Sequence, residues 1–378
     1  VIDLDALASN LATLRSGVPS GTLVMAVVKA DAYGHGMGPV AEVALEAGAE
    51  WLGVATPDEA LALRGLAPAA RILVLGPVGG EWLDAVAAAD CAITIGDLRS
   101  LDALTRRSAR APVRVHLKVD TGMTRFGVAP DDVDDAVRAL AAAPAILEGV
   151  YTHFAAAEDP DPAMTVAQIT AFERAVDAAR RAAPAVIRHA AASAAVLAHP
   201  AAAFDMIRVG MAMYGVSPLA ETRAGLRQVM AVRSRLARVL AVEAGTPVSY
   251  GLTHRTAAAT RIATVPIGYA DGYPRALSNL GVMIVAGRRV PVVGRVCMDY
   301  TMLDVDDTAA REGDEVTVFG EALPVAEVAA TAGTIAYEIV TRIGPRVPRL
   351  YSRYGRPSAW STVARSTDVI AGRPEDGE

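Results

Sequence analysis

The stretch TLVMAVVKADAYGHG, residues 22–36, decides the fold class. Its first seven residues are β-prone and almost all apolar, the pattern of a strand buried on both faces. The run ends on Lys29, turns through Tyr33-Gly34-His35-Gly36, and gives way to a stretch of helical length at 38–48. The same unit recurs along the first 210 residues. Further β-prone runs lie at 51–54, 71–75, 91–95, 113–119, 147–152, 186–189 and 204–209, and helical stretches at 57–64, 97–108, 131–142 and 164–183 separate them. Thr56-Pro57-Asp58-Glu59 and Asp131-Asp132 place acidic side chains where a helix start favours them. Strands alternating with helices predict a parallel sheet. Eight such units predict its closure into a (β/α)8 TIM-type barrel, whose active site lies at the C-terminal ends of the strands.

The pattern changes after about residue 225. Runs at 229–242, 260–267, 282–285, 289–296 and 300–305 are short, β-prone and punctuated by Gly and Pro, which predicts a second, mainly β domain. The length of 378 residues exceeds the roughly 250 of one barrel. The expected division is a barrel over 5–225, a mainly β domain over 226–361 and a frayed polar tail over 362–378. The strand-like opening, residues 1–4, is grouped with the β domain, although its pairing is not fixed by pattern.

Hydrophobic residues make up 52% of the chain, much of it alanine, and no apolar run approaches the about 20 residues of a membrane span. The opening VIDLDALASN is acidic and has no basic region, so no secretory signal is expected, and the missing initiator Met points to a processed or trimmed start. The net charge of −6 is dispersed, which argues against a nucleic-acid surface. Two cysteines, Cys91 and Cys297, form no C-x-x-C pattern, and a reducing cytoplasm is the expected setting.

The polar residues at the predicted strand ends are Lys29, the segment Lys118–Arg125, His153, His189 and Arg208. Cations brought together repel unless they share an anion, so a phosphate, a carboxylate or both is the expected guest. Lys29 taken alone is a surface lysine ending a strand. The sharper alternative is the covalent anchor of an aldehyde cofactor such as pyridoxal phosphate. A dinucleotide loop is a competing idea for Gly34-x-Gly36-x-Gly38, but the G-x-G-x-x-G spacing is incomplete and no acid ends the second strand.

Nine segments, in order along nearly the whole chain, resemble the alanine racemase family. They are AVVKADAYGHG (26–36), HLKVDTGMTRFG (116–127), YTHFAAAED (151–159), RHAAAS (188–193), MIRVGMAMYG (206–215), VSYG (248–251), VPIGYADGYPR (265–275), VGRVCMD (293–299) and IAYEIVTRIGPRVPR (335–349). The resemblance implies a barrel followed by a β domain, pyridoxal 5'-phosphate as cofactor, interconversion of L- and D-alanine, and D-alanine supply for peptidoglycan. It implies two bases on opposite faces of the substrate, Lys29 and Tyr250, with Tyr250 reaching across from the partner subunit of a homodimer. Arg208 then faces the cofactor's ring nitrogen, His189 braces it and His153 packs on the ring. Tyr33, Ser193, the backbone of Gly210 and Met211, and Tyr337 meet the phosphate. Arg125 and the backbone of Met298 meet the substrate carboxylate. Lys118 matches a position that is carbamylated in many members, Tyr269 and Tyr337 resemble an inner gate, and Asp299 is a supporting residue.

Plainer alternatives stand beside these. Tyr250 alone is a turn tyrosine, Arg208 a strand-end partner of Asp205, Ser193 a helix cap and Lys118 half of an ion pair with Asp120. Ala192, Tyr300 and Thr124 depart from residues frequent in the family. Two other functions fit the same architecture: a racemase of another small amino acid such as serine, and a barrel-type decarboxylase. The decarboxylase would want an acid where Arg208 stands. A pyridoxal-phosphate binding protein without turnover is the non-enzymatic alternative, and the second domain argues against it.

Overall fold

A computed structural model describes residues 1–106, 112–219 and 225–360. The chain divides into two units. One comprises Ala6–Ala32 and Val40–Arg227, and the other Val1–Asp5, Tyr33–Pro39 and the chain from Gln228 onward. The tail expected over 362–378 and the end of the helix expected over 97–108 lie outside the described residues.

The first unit is built on eight parallel strands: β1 (Leu23–Val27), β2 (Trp51–Val54), β3 (Arg71–Pro77), β4 (Ala92–Ile95), β5 (Val113–Lys118), β6 (Ala145–Tyr151), β7 (Ile187–His189) and β8 (Met206–Val209). Their order is β7-β6-β5-β4-β3-β2-β1-β8. The two ends of this row meet, because the Asp205 N–H donates to the Arg188 carbonyl at 3.0 Å and the Arg208 N–H to the Ala191 carbonyl at 2.9 Å. That closes the barrel. Met25, Trp51, Leu73, Ala92 and Met206 form one buried cluster inside it, and Trp51, Ala92 and Met206 all open their strands. This apolar cluster lies toward the N-terminal ends of the strands.

Helices Met37–Glu46, Pro57–Leu66, Leu98–Thr105, Val133–Ala142 and Ala163–Ala182 follow the expected stretches. Thr56 caps Pro57–Leu66 in a capping box with Glu59. Asp131 and Asp132 lie in a 3₁₀ turn, and the α-helix begins at Val133.

The second unit is mainly β. A four-stranded antiparallel sheet joins Val232–Arg235, Glu315–Phe319, Val282–Val285 and Arg288–Pro291, and a three-stranded one joins Arg238–Val242, Thr260–Val265 and Thr301–Asp304. Ile2–Asp3 pairs in parallel with Tyr351–Arg353, which settles the pairing of the opening strand. Two short helices, Val325–Thr331 and Ala336–Thr341, were not expected from the sequence.

Candidate active site

The barrel carries Lys29 just past β1, Lys118 at the end of β5, Arg125 in the following loop, His153 beyond β6, His189 at the end of β7 and Arg208 within β8. They share one space. Burial, then Arg208, Arg125, Lys118 and Lys29, lowers the His153 imidazole to about 3, so His153 is neutral at physiological pH. Burial and Arg125 also lower Lys29, against the opposing pull of Glu59. Burial, Arg125 and Arg208 bring Lys118 down to about 8, against Asp120. None of Lys29, Lys118, Arg125 and Arg208 makes an ion pair among the described residues. Uncompensated cations at the polar end of a barrel suit an anionic guest.

The chain around Lys29 is strained. Ala30, Asp31 and Ala32 have φ of 52°, 52° and 54° with ψ near the left-handed helical value, and Tyr33 and Gly34 continue at φ of 54° and 78°. Left-handed residues other than glycine cost about 1–2 kcal/mol each, and such strain gathers at functional sites. Glu59 helps to hold this backbone. Its carboxylate accepts from the N–H of Ala30 at 2.7 Å and of Ala55 at 2.7 Å, tying the exit of β1 to that of β2.

Asp120 organises the loop that carries Arg125. One carboxylate oxygen accepts from the N–H groups of Gly122, Met123 and Thr124, and the other from Arg125, at 2.9–3.0 Å. These bonds outweigh burial and hold the Asp120 carboxyl below its usual range. Asp120 is thus bonded to backbone, and the Lys118–Asp120 ion pair is not formed. The Lys118 ammonium lies over the Phe126 and Tyr151 rings, 5.3 and 6.0 Å from their centroids.

Arg208 is 3% exposed. It donates to Nδ1 of His189 at 3.0 Å, Nδ1 of His153 at 3.1 Å, and the carbonyls of Thr152 and Ala190 at 2.7 and 3.0 Å. Asp205 pairs instead with Arg188 at 2.6 Å, so the salt bridge weighed for Arg208 is absent. Burial brings the Arg208 guanidinium down to about 10, still fully charged at neutral pH. Its Nε–H donates to nothing among the described residues. Ser193 follows the cap residue Ala192, and its hydroxyl accepts from the N–H groups of Gly210 at 3.1 Å and Ala212 at 3.3 Å.

Several supporting residues carried little sequence signal. Gln168 lies fully buried on helix Ala163–Ala182, accepts from the Ala155 N–H and donates to Thr121 and to the His153 carbonyl. A polar residue on the buried stripe of an amphipathic helix was the one available clue. Thr121 and Thr152 hydroxyls meet at 2.7 Å.

The second unit holds the remaining candidates. Tyr250 is 72% exposed in a turn where Ser249, Gly251 and Leu252 all have positive φ. Ser249 sits at φ 64°, ψ −178°, a region essentially confined to glycine. Its hydroxyl donates to the Arg295 carbonyl at 2.6 Å and lies 3.5 Å from the Cys297 sulfur. Met298, Tyr269 and Tyr337 are exposed, and the Met298 N–H donates to nothing among the described residues. Asp299 accepts from Arg346 at 2.8 Å. The buried Tyr33 ring lies 6.0 Å from Tyr337, and burial raises its phenol.

The glycines of YGHG serve packing. A Cβ on Gly34 would lie 2.4 Å from the Val340 carbonyl oxygen, and one on Gly36 would lie 1.9 Å from the Tyr351 hydroxyl. Arg349 also donates to the Gly34 carbonyl.

A donor-only guanidinium with a free N–H, a lysine whose amine is depressed and a set of unpaired cations fit an aldehyde cofactor that carries a phosphate and a ring nitrogen. Among the described residues no helix is long and apolar enough to cross a membrane, and no cluster of His, Cys, Asp and Glu is placed to hold a metal.

Comparison with known proteins agrees in both halves. The family model for the N-terminal domain of alanine racemase matches residues 2–218, and that for the C-terminal domain matches 229–351. The alanine racemase of Symbiobacterium thermophilum is 44% identical over 362 residues, 93% of this chain and 96% of that protein. The crystal structure of alanine racemase from Bacillus anthracis with bound L-Ala-P superposes with a TM-score of 0.89 at 38% identity, over 94% of this chain and 95% of that one. That of alanine racemase from D-cycloserine-producing Streptomyces lavendulae gives 0.87 at 42% identity, over 93% and 96%.

Proposed function

We propose that this chain, which belongs to the alanine racemase family, is a pyridoxal-phosphate-dependent racemase that interconverts L- and D-alanine. The observation that carries this is Arg208, buried and donating to neutral histidines, in a barrel that also presents an amine-depressed Lys29. Pyridoxal phosphate, when bound, supplies an aldehyde that condenses with the substrate amine and a ring that acidifies its Cα–H.

Inversion requires a proton to leave one face of Cα and arrive at the other. Lys29 serves one face, and its lowered proton affinity leaves more of it as free amine near neutral pH. By the family resemblance, the partner subunit's Tyr250 serves the other. Arg208 can only donate, so a ring nitrogen facing it would accept its hydrogen bond and stay unprotonated. A weaker electron sink favours simple reprotonation over transamination, and it disfavours the decarboxylase alternative. His153 and His189, both neutral, accept from Arg208 and fix its direction.

Ser193, Gly210 and Met211, with Tyr33 and Tyr337, are the proposed phosphate ligands. Arg125 and the Met298 N–H are the proposed carboxylate ligands, Lys118 is a proposed carbamate, and Tyr269 with Tyr337 narrows the pocket toward alanine. The protein acts as a cytoplasmic homodimer, and its D-alanine serves peptidoglycan. The test is turnover of pure L-alanine to D-alanine by the purified protein with pyridoxal phosphate, with L-serine alongside. Fast alanine and slow serine conversion is expected. Conversion of neither overturns the racemase assignment, and preference for serine overturns the substrate.

A further inference from the structure

Arg208 is one end of a longer chain of contacts that runs down the barrel. His189 Nε2 meets His116 Nδ1 at 2.8 Å, and His116 Nε2 faces Glu148 Oε2 at 3.6 Å. At that separation the contact is electrostatic, and neither of those last two atoms has a hydrogen-bond partner among the described residues. The other Glu148 oxygen carries Arg71 and Arg114, the first residue of β3 and the second of β5. The chain therefore spans the bore, from the polar end to the base.

Its polarity is fixed at both ends. Arg208 can only donate, so His189 Nδ1 accepts and the ring carries its proton on Nε2. That proton goes to His116 Nδ1, which leaves the His116 proton on Nε2, directed at a carboxylate that can only accept. Burial lowers both imidazoles and keeps them neutral. Burial alone would raise Glu148, but His116, Arg71 and Arg114 outweigh it and keep it ionised.

The fold makes specific room for this arrangement. The β5–β6 register pairs Val115 with Leu147 and then His116 with Gly149, so Glu148 is the extra residue of a bulge, a device that re-aims a side chain. A Cβ on Gly149 would lie 2.2 Å from His116 Nδ1, so the imidazole occupies space that only glycine leaves open. Trp51 meets His116 edge-on at 5.1 Å, and Tyr151 stacks on His189 at 4.6 Å.

We propose that Glu148 is a positioning residue for Arg208: its carboxylate, facing the His116 Nε2–H, terminates a one-way chain of donors and acceptors through His116 and His189 that holds the guanidinium in its donating orientation. The link to catalysis rests on the racemase assignment above. The chain itself does not, and it can be tested without cofactor.

The experiment compares Glu148→Gln with Glu148→Leu. Both strip Arg71 and Arg114 of their carboxylate, so losses common to both are structural. Only Gln keeps an acceptor for His116. In cofactor-free protein, imidazole 15N shifts should show His189 and His116 as Nε2–H tautomers in wild type and Glu148→Gln. In Glu148→Leu the His116, His189 and Arg208 side-chain signals should move or broaden. In holoenzyme, Glu148→Leu should lose about tenfold or more in kcat with KM little changed, and transaminate more often per turnover. Glu148→Gln should recover most of that loss. If Glu148→Leu does not fold, His116→Gln against His116→Leu makes the same comparison, because Gln can accept from His189 and donate to Glu148. Wild-type shifts in the Leu variants overturn the chain. Altered shifts with unchanged kcat and side-reaction frequency overturn its role in placing Arg208. Absence of wild-type racemisation would overturn the function and leave the 15N result standing.

Discussion

Lys118 shows what a cation costs when the barrel closes over it. It is 5% exposed, and burial, Arg125 and Arg208 bring its ammonium from 10.5 to about 8. Between those two pH values the unfolded chain binds the proton and the folded chain has released it. Stability contributed by this group therefore rises with pH across that window, and the full penalty applies below pH 8. Lys118→Met removes the penalty. In urea unfolding of cofactor-free protein without carbon dioxide, the variant should be more stable at pH 7 by on the order of 3 kcal/mol, with the gap closing toward pH 10.5. A lowered pKa also frees amine to add carbon dioxide, forming a carbamate and releasing a proton. Bicarbonate should then stabilise wild type and leave Lys118→Met unchanged. Equal responses would remove Lys118 as the proposed carbamate.

At the scale of elements, regular parts were legible and strained parts were not. The barrel strands announced themselves because parallel strands buried on both faces read as continuous apolar runs. The left-handed turn after Lys29 did not, because KADAY contains no glycine and only one residue, Asp31, of a type that visits such a conformation, and then as a single residue rather than a run. His116 lay inside an apolar run with nothing to distinguish it from a satisfied core histidine. Gly34 and Gly36 were legible as glycines, but their cause lies far along the chain at Val340 and Tyr351. That cause is testable by a double-mutant cycle. Gly36→Ala forces a methyl group onto the Tyr351 hydroxyl at a φ of 98° and should cost ~3 kcal/mol in urea unfolding. Adding Tyr351→Phe removes the nearest atom and should recover part of that loss, leaving the strain of the positive φ. Additive losses would mean that the hydroxyl is not the obstacle.

At the scale of the whole molecule, the setting of Tyr250 points beyond a single chain. It is 72% exposed, held on a strained turn, and near it in sequence or on the bonded 295–300 segment stand Leu252 at 54%, Met298 at 52% and Tyr300 at 50% exposure. Strain kept to present a solvent-facing phenol, among exposed apolar side chains, is what a surface completed by a second copy would require. The proposed homodimer then draws Lys29 from one subunit and Tyr250 from the other. Lys29→Ala and Tyr250→Phe should each abolish most racemisation alone. Mixed and allowed to exchange, they form heterodimers in which one site carries both substitutions and the other carries neither. With equal amounts and free exchange, half the dimers are mixed, and about a quarter of wild-type activity should return. If each Tyr250 served the Lys29 of its own chain, every site in the mixture would lack one base. Mixing would then restore nothing, so the return of activity reports directly on which subunit supplies the second proton carrier.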